Sequence, residues 1–240
     1  MNILILGFGK MGKIIAEIAE SRGHSIVGKI NIDNREELDT LDTDSIDVAI
    51  EFSEPAAAFD NISWAIKRQI PVVSGTTGWL ERKPEIERLT LSKGGGFFYS
   101  SNYSIGVNIF FKLNRFLAKI MDGQPDYKIS LEEIHHTEKK DAPSGTAITL
   151  AEAIINKVDR IKRWHKADEE PQDEKSLPIT SVREDPAPGT HRLTYASEID
   201  SIEIIHTAHS RKGFALGSVL VAEWIKDKRG IFSMDDFLTF

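Results

Sequence analysis

The densest chemistry in the chain is one run, Glu133-Ile134-His135-His136-Thr137-Glu138-Lys139-Lys140-Asp141-Ala142-Pro143-Ser144-Gly145-Thr146-Ala147. Two histidines end an apolar stretch, a lysine follows four residues after the first, and Pro-Ser-Gly-Thr then opens a helical pattern. Histidine titrates near neutrality and suits a general acid, worth ~10²–10⁴ in rate when positioned. Lys139 supplies a fixed cation, and the amides of Gly145 and Thr146 at a helix N-terminus form an anion site. A substrate that carries carboxylates and receives a proton fits this set. Adjacent strand residues point to opposite faces, so His135 and His136 are badly placed to share one metal, and no metal is expected. The bland alternative bonds both rings to backbone, leaves Lys139 in solvent and makes Ser144 only a helix cap; the clustering argues against it.

A second constellation is Gly7-Phe8-Gly9-Lys10-Met11-Gly12, the spacing G-x-G-x-x-G set between an apolar run and an amphipathic one. Glycines there permit a tight turn and close approach of backbone to a pyrophosphate, with helical amides facing the phosphates. The residue near the end of the next strand-like run is Asn31, with Asp33 and Arg35 beyond it. A carboxylate at that place holds a ribose diol and repels a 2′-phosphate, whereas Asn near Arg discriminates poorly, so NADH, NADPH or both stay open. Gly75-Thr76-Thr77-Gly78 and Ser101-Asn102-Tyr103-Ser104 also follow strand-like runs and suit a cofactor cleft, although each taken singly reads equally well as a turn or a cap. Of the other histidines, His24 and His165 are read as surface residues, His206 and His209 as sheet decoration. The weaker assignment for His191, beside Gly189 and Thr190, places it in a substrate cleft.

Two kinds of element must position these residues. Short β-branched runs at Asn2–Leu6, Ser25–Ile30, Asp47–Phe52, Pro71–Ser74 and Phe97–Ser100 alternate with amphipathic stretches at Met11–Ser21, Pro55–Arg68 and Pro84–Leu91. That alternation builds a Rossmann-like doubly wound parallel sheet, whose ligands sit at the carboxyl ends of strands. From Ser104 the pattern changes to an apolar helix, a strand at Tyr127–Ile134 and a helix at Gly145–Val158. A polar excursion at Asp159–Pro178 precedes strand candidates at Ile179–Arg183, His191–Ala196 and Ser201–Thr207. Strands without intervening helices imply a second α+β domain with a mixed or antiparallel sheet. A final helix at Phe214–Ile225 is expected to return to the first domain.

Lys and Arg number 30 against 37 Asp and Glu, a formal charge of -7, so no positive excess exists to neutralise a nucleic-acid backbone. The absence of cysteine excludes disulfides, thiolate metal sites and a cysteine nucleophile. No apolar run approaches the ~20 residues that span a bilayer, and no basic leader precedes Ile3; the chain is read as soluble and cytoplasmic.

The order of these motifs resembles the 4-hydroxy-tetrahydrodipicolinate reductase (dihydrodipicolinate reductase) family. The resemblance rests on Gly7–Gly12, Asp47–Ser53, Gly75–Gly78, Ser101–Val107 and the E-x-H-H-x-x-K-x-D-A-P-S-G-T-A signature at Glu133–Ala147. It continues through His206–Gly217. It implies a nicotinamide-binding domain at 1–103 and 213–240 around a substrate-binding and oligomerisation domain at 104–212, assembled as a homotetramer. It further implies that His135 acts as proton donor or acceptor, that Lys139 donates a proton, and that His136, Gly145 and Thr146 hold the carboxylates of a small cyclic dicarboxylate. Implied cofactor contacts are Gly7, Phe8, Gly9, Lys10, Met11, Gly12, Asn31, Gly75, Thr76, Thr77, Ser100, Ser101, Asn102 and Tyr103. The chain departs from the family pattern at Asn31, where an acidic residue is usual, at Ser100-Ser101 in place of small alanines, and at Arg183–His191, where Thr190 replaces a frequent acid. Two competitors remain at this level: a nucleotide sensor without turnover, which would not need His135, His136 and Lys139, and a dehydrogenase of another small dicarboxylate.

Overall fold

Alternating apolar residues in the first hundred positions bury both faces of a sheet. In the computed structural model, which describes residues 1–169, 173–210 and 212–239, the chain divides into two units, Met1–Ile105 with Lys212–Phe240 and Gly106–Arg211. The first unit contains β1 (Asn2–Leu6), α1 (Lys10–Ser21), β2 (Ser25–Ile30), β3 (Val48–Glu51), α2 (Pro55–Lys67), β4 (Val72–Ser74), α3 (Lys83–Lys93) and β5 (Gly96–Tyr99). The second holds α4 (Ile105–Met121), β6 (Lys128–His135), α5 (Gly145–Ile155), β7 (Arg163–Lys166), β8 (Ser176–Arg183), β9 (Gly189–Ala196) and β10 (Ser201–Ala208). The chain then returns to the first unit with α6 (Lys212–Ile225), β11 (Gly230–Phe232) and α7 (Met234–Phe237).

The first sheet has the order β11-β5-β4-β3-β1-β2, with every pairing parallel. Leu4, Leu6, Ala49, Val72 and Phe97 face α2 and α3 residues such as Ile62, Ile66 and Ile86. Ile3, Ile5, Val48, Val73 and Phe98 face Ile15 and Ala19 of α1 and Val219 and Ala222 of α6. Each such side chain contributes about 1.5–3 kcal/mol on full burial, and covering both faces is what a parallel sheet requires. The final helix therefore does return to the first unit, and it brings an unforeseen edge strand, β11, with it.

The second sheet is mixed, β10-β9-β6-β8-β7, with β6, β8 and β7 parallel and β9 antiparallel to β6 and β10. Its inner face carries Ile129, Leu131, Leu177, Ile179, Leu193 and Tyr195 against Leu150, Ala151 and Ile154 of α5. The polar stretch Asp159–Pro178 is not wholly an excursion: β7 and the start of β8 lie within it, recruited by parallel pairing to a sheet whose pattern the local sequence does not show. Residues 170–172 of that stretch lie outside the described residues.

Candidate active site

The nucleotide signal occupies the carboxyl ends of β1, β2 and β3. A groove of about 620 Å³ is lined there by Gly7, Gly9, Lys10, Met11, Asn31 and Arg35, among others. Gly7 has φ +99°, and a Cβ on it would lie 2.1 Å from the Phe52 carbonyl oxygen, so only glycine fits between β1 and β3. A Cβ on Gly9 would meet nothing within 4 Å. The loop thus packs against the sheet on one side and leaves open space beside bare backbone on the other, a fit for a dinucleotide pyrophosphate at the N-terminus of α1. Asn31 stands at the end of β2, and its Oδ1 accepts the Phe8 amide at 2.8 Å. Its own amide donates to Asn34 Oδ1 at 2.7 Å.

Deeper in the same unit lies Glu51, fully buried at the end of β3. Its Oε1 accepts Ser53 Oγ at 2.5 Å, Thr76 Oγ1 at 2.8 Å and the Ser53 amide at 3.0 Å, and its Oε2 accepts Ser74 Oγ at 2.7 Å. The carboxylate thereby ties the loops after β3 and β4 together. Two readings of individual side chains change as a result. The Thr76 hydroxyl is buried and engaged with Glu51 and the Ser53 amide, which leaves its backbone and the exposed Thr77 for a ligand. Tyr103 is 1% exposed, donates to the Ser74 carbonyl at 2.7 Å and packs on Phe52 and Phe98, so its ring belongs to the core. Ser100 donates to the Asn102 carbonyl at 2.7 Å, Asn102 Oδ1 accepts the Ser104 amide, and Ser101 is exposed. Gly12 is buried under the loop, with Phe8 and Met11 half-buried.

In the second unit, strand register assembles what the sequence scatters. Glu133 of β6 pairs with Ser181 of β8 and His191 of β9, and His135 pairs with Arg183. The first three, with His135, lie on or border the inner face of the sheet. Glu133 is fully buried and accepts the Ser144 amide at 3.0 Å, Ser181 Oγ at 2.8 Å and Arg183 Nη2 at 3.2 Å. Burial alone would raise its pKa, but these donors outweigh that and hold it below the ordinary value. Arg183 also donates to the carbonyls of Lys139 at 3.2 Å and Asp141 at 2.6 Å, so one guanidinium clamps the Lys139 loop to β6. Lys139 Nζ lies 2.7 Å from both oxygens of Asp141.

His135 Nδ1 is 3.5 Å from Glu133 Oε2, within ion-pair range but out of line for a hydrogen bond. Burial lowers the His135 pKa; Glu133 opposes that effect, and Lys139 and Arg183 add to it, leaving the ring neutral at neutral pH. His191 is packed edge-on against His135 with ring centres 5.2 Å apart, and its Nε2 is 3.2 Å from Ser144 Oγ. Burial, then His135, pushes its pKa down to about 4. His191 thus joins His135, Ser144 and Glu133, a grouping that no local signal in the sequence reveals because the partners meet across a sheet. His136, one residue past the end of β6, is half-buried. Ser144 caps α5 by accepting the Ala147 amide, and Gly145 beside it is exposed. Glu133, His135 and His191 bring ligand atoms within 4.8 Å of one another, yet the Arg183 guanidinium already on Glu133 opposes a second cation. Elsewhere, His24 is no simple surface residue, since its Nε2 lies 2.7 Å from Glu223. His165 is half-buried, with Nδ1 2.7 Å from Ser176 Oγ.

Comparison with known proteins gives a consistent result across the chain. Family models described as "Dihydrodipicolinate reductase, N-terminus" and "Dihydrodipicolinate reductase, C-terminus" match residues 1–103 and 106–238. A 4-hydroxy-tetrahydrodipicolinate reductase of Christiangramia forsetii is 52% identical over 239 residues, covering 100% of this chain and 98% of the relative. One of Methanosarcina barkeri is 34% identical over 263 residues, covering 99% of both. Among solved structures, the dipicolinate-bound dihydrodipicolinate reductase of Paenisporosarcina sp. TG-14 shares the fold, with TM-score 0.79 and 20% identity over 99% of each chain.

Proposed function

The chain belongs to the dihydrodipicolinate reductase family, and from that premise we propose how its residues divide the reaction. The activity is the NAD(P)H-dependent reduction of 4-hydroxy-tetrahydrodipicolinate in the diaminopimelate route to lysine. When bound, NAD(P)H supplies the hydride. In this reading Met1–Ile105 with Lys212–Phe240 is the dinucleotide-binding unit and Gly106–Arg211 the substrate-binding one. The backbone of Gly7–Gly12 holds the pyrophosphate, and the backbone of Gly75–Thr77 and Ser100–Tyr103 borders the nicotinamide half.

His136 and the amides of Gly145 and Thr146 bind substrate carboxylates at the N-terminus of α5. The Lys139 ammonium donates the proton that balances the hydride, and Asp141 and the Arg183 clamp set where that ammonium points. His135, kept neutral by its surroundings, accepts or passes a proton rather than adding a fixed charge. Support comes chiefly from Arg183, which joins Glu133 beneath His135 to the loop carrying Lys139. We place the enzyme in the cytoplasm as a homotetramer, its subunits meeting through the outer face of the second sheet. Ile205 of β10, opposite Arg192 of β9, stands there 48% exposed. Among the described residues no helix is long and apolar enough to cross a membrane.

The direct test follows nicotinamide absorbance after purified protein is added to hydroxy-tetrahydrodipicolinate made freshly from pyruvate and aspartate semialdehyde. Consumption that drops at least a hundredfold in Lys139→Ala, with cofactor affinity retained, supports the role assignment. Full turnover in that variant would remove Lys139 from the chemistry.

A further inference from the structure

Strand periodicity gathers polar groups of the second unit on one face of its sheet. Residues two apart on a strand share a face, so Glu133 and His135 of β6 stand with Gly189 and His191 of β9 on the side that carries Leu131 and Leu193. His191 lies directly opposite Glu133 in the register and is 5% exposed. Its contacts differ in kind. The ring packs edge-on against His135 at an interplanar angle of 75°. Its Nε2 lies 3.2 Å from Ser144 Oγ, the hydroxyl that also accepts the Ala147 amide and so caps α5.

His135 needs such a neighbour. Its Nδ1 is buried with no hydrogen-bond partner among the described residues, so packing rather than a bond at that nitrogen sets the ring. Beside its other edge is Gly189, with φ +155°; a Cβ there would lie 3.1 Å from His135 Nε2 and 3.3 Å from its Cδ2. His191 and the bare Cα of Gly189 thus bound the ring where Glu133 does not bond it. His191 does this without a charge. It faces His135, Glu133, Lys139 and His206, its partner on β10, and burial together with the neighbouring histidine keeps it neutral at neutral pH. A neutral imidazole offers a ring edge to one neighbour and a polar nitrogen to the other.

Resting on the reading that His135 handles a proton and that the α5 amides hold carboxylates, we propose that His191 is a positioning residue for the reduction, its ring walling His135 and its Nε2 holding the amide-bearing end of α5 through Ser144. One side chain thereby couples the orientation of the proton carrier to the place of the carboxylate cradle. Two substitutions separate the contacts. His191→Phe keeps the wall and deletes the nitrogen, so KM for hydroxy-tetrahydrodipicolinate rises about tenfold with kcat within about threefold. His191→Gln keeps a polar group toward Ser144 and deletes the ring, so kcat falls about tenfold to a hundredfold with KM within about threefold. His191→Gln also admits water to His135 and relieves the burial that lowers its pKa, while Glu133, Lys139, Asp141 and Arg183 still face it; the acidic limb of kcat therefore moves to higher pH. Gly189→Ala presses on the same ring from its other edge and lowers kcat without raising KM, which gives the split against His191→Phe should His191→Gln not fold. Steady-state kinetics of the full chain at saturating NADPH or NADH read each variant, with urea unfolding to establish that it is folded in the assay. Parallel losses of kcat and KM in the Phe and Gln variants, or wild-type values in both, overturn the proposal while turnover by the wild type leaves the reaction in place. No turnover by the folded wild type overturns the reaction and the proposal together.

Discussion

Each unit buries one glutamate completely at or near the carboxyl end of a central strand, and the two are held by opposite means. Glu51 of β3 meets three hydroxyls and a backbone amide, with no cation among its bonded partners. Glu133 of β6 meets an amide and a hydroxyl too, but also a guanidinium and two imidazoles within 4 Å. Neutral donors fix loop geometry and exchange no protons near neutral pH. Titratable neighbours couple the same side chain to protonation. On the proposed division of roles, the difference separates a unit that holds a ligand still from one that moves a proton.

The largest effect that would sharpen this contrast comes from the proposed proton carriers. His135→Gln and Lys139→Ala should each lower kcat by ~10²–10⁴ with nucleotide Kd within about twofold, read by steady-state kinetics and fluorescence titration. Glu133→Gln takes the charge from beneath the half-buried Arg183 and turns one acceptor into a donor facing the Ser144 amide and Ser181, which should cost roughly 1–3 kcal/mol in urea unfolding. Because Glu133 raises the His135 pKa, the same variant should move the acidic limb of kcat to lower pH, a change that lost stability alone does not produce.

Next in size is a pH effect. His191 titrates at about 4 when folded and near 6.5 when unfolded, so only the unfolded chain takes up that proton between the two values. Stability is full above about pH 6.5 and falls by about 3 kcal/mol as pH drops toward 4, below which both states are protonated. His191→Asn should flatten that slope. The smallest effect belongs to Glu51→Gln, which turns one acceptor into a donor among donors: about 1–3 kcal/mol of stability and a several-fold weaker nucleotide Kd, with the pH profile unmoved. A pH shift in Glu51→Gln would break the comparison.

How much was legible in the sequence follows the range of the interactions. The glycine loop, the parallel strands and the Glu133–Ala147 run are local, written in spacing and period, and the structure places them within a residue or two of expectation. Ser181, Arg183 and His191 reach Glu133 only through pairing across three strands, a register that no window of sequence contains. The strand Arg163–Lys166 has no alternation and forms because β8 offers it an edge. At Thr76 and Tyr103 the sequence gives a position but not the partner of the side chain. Residue type and position fitted ligand contacts, but their hydroxyls bond the Glu51 carboxylate and the Ser74 carbonyl inside the unit.

The return of α6 to the first unit also dictates an order of events on the ribosome. The sheet face bearing Ile3, Ile5, Val48 and Val73 is covered partly by α1 and partly by Val219 and Ala222 of α6. At ~5–20 residues per second, the second unit takes on the order of ten seconds to synthesise. Throughout that interval the nascent first unit displays an apolar face only partly covered by α1, a substrate for holding chaperones.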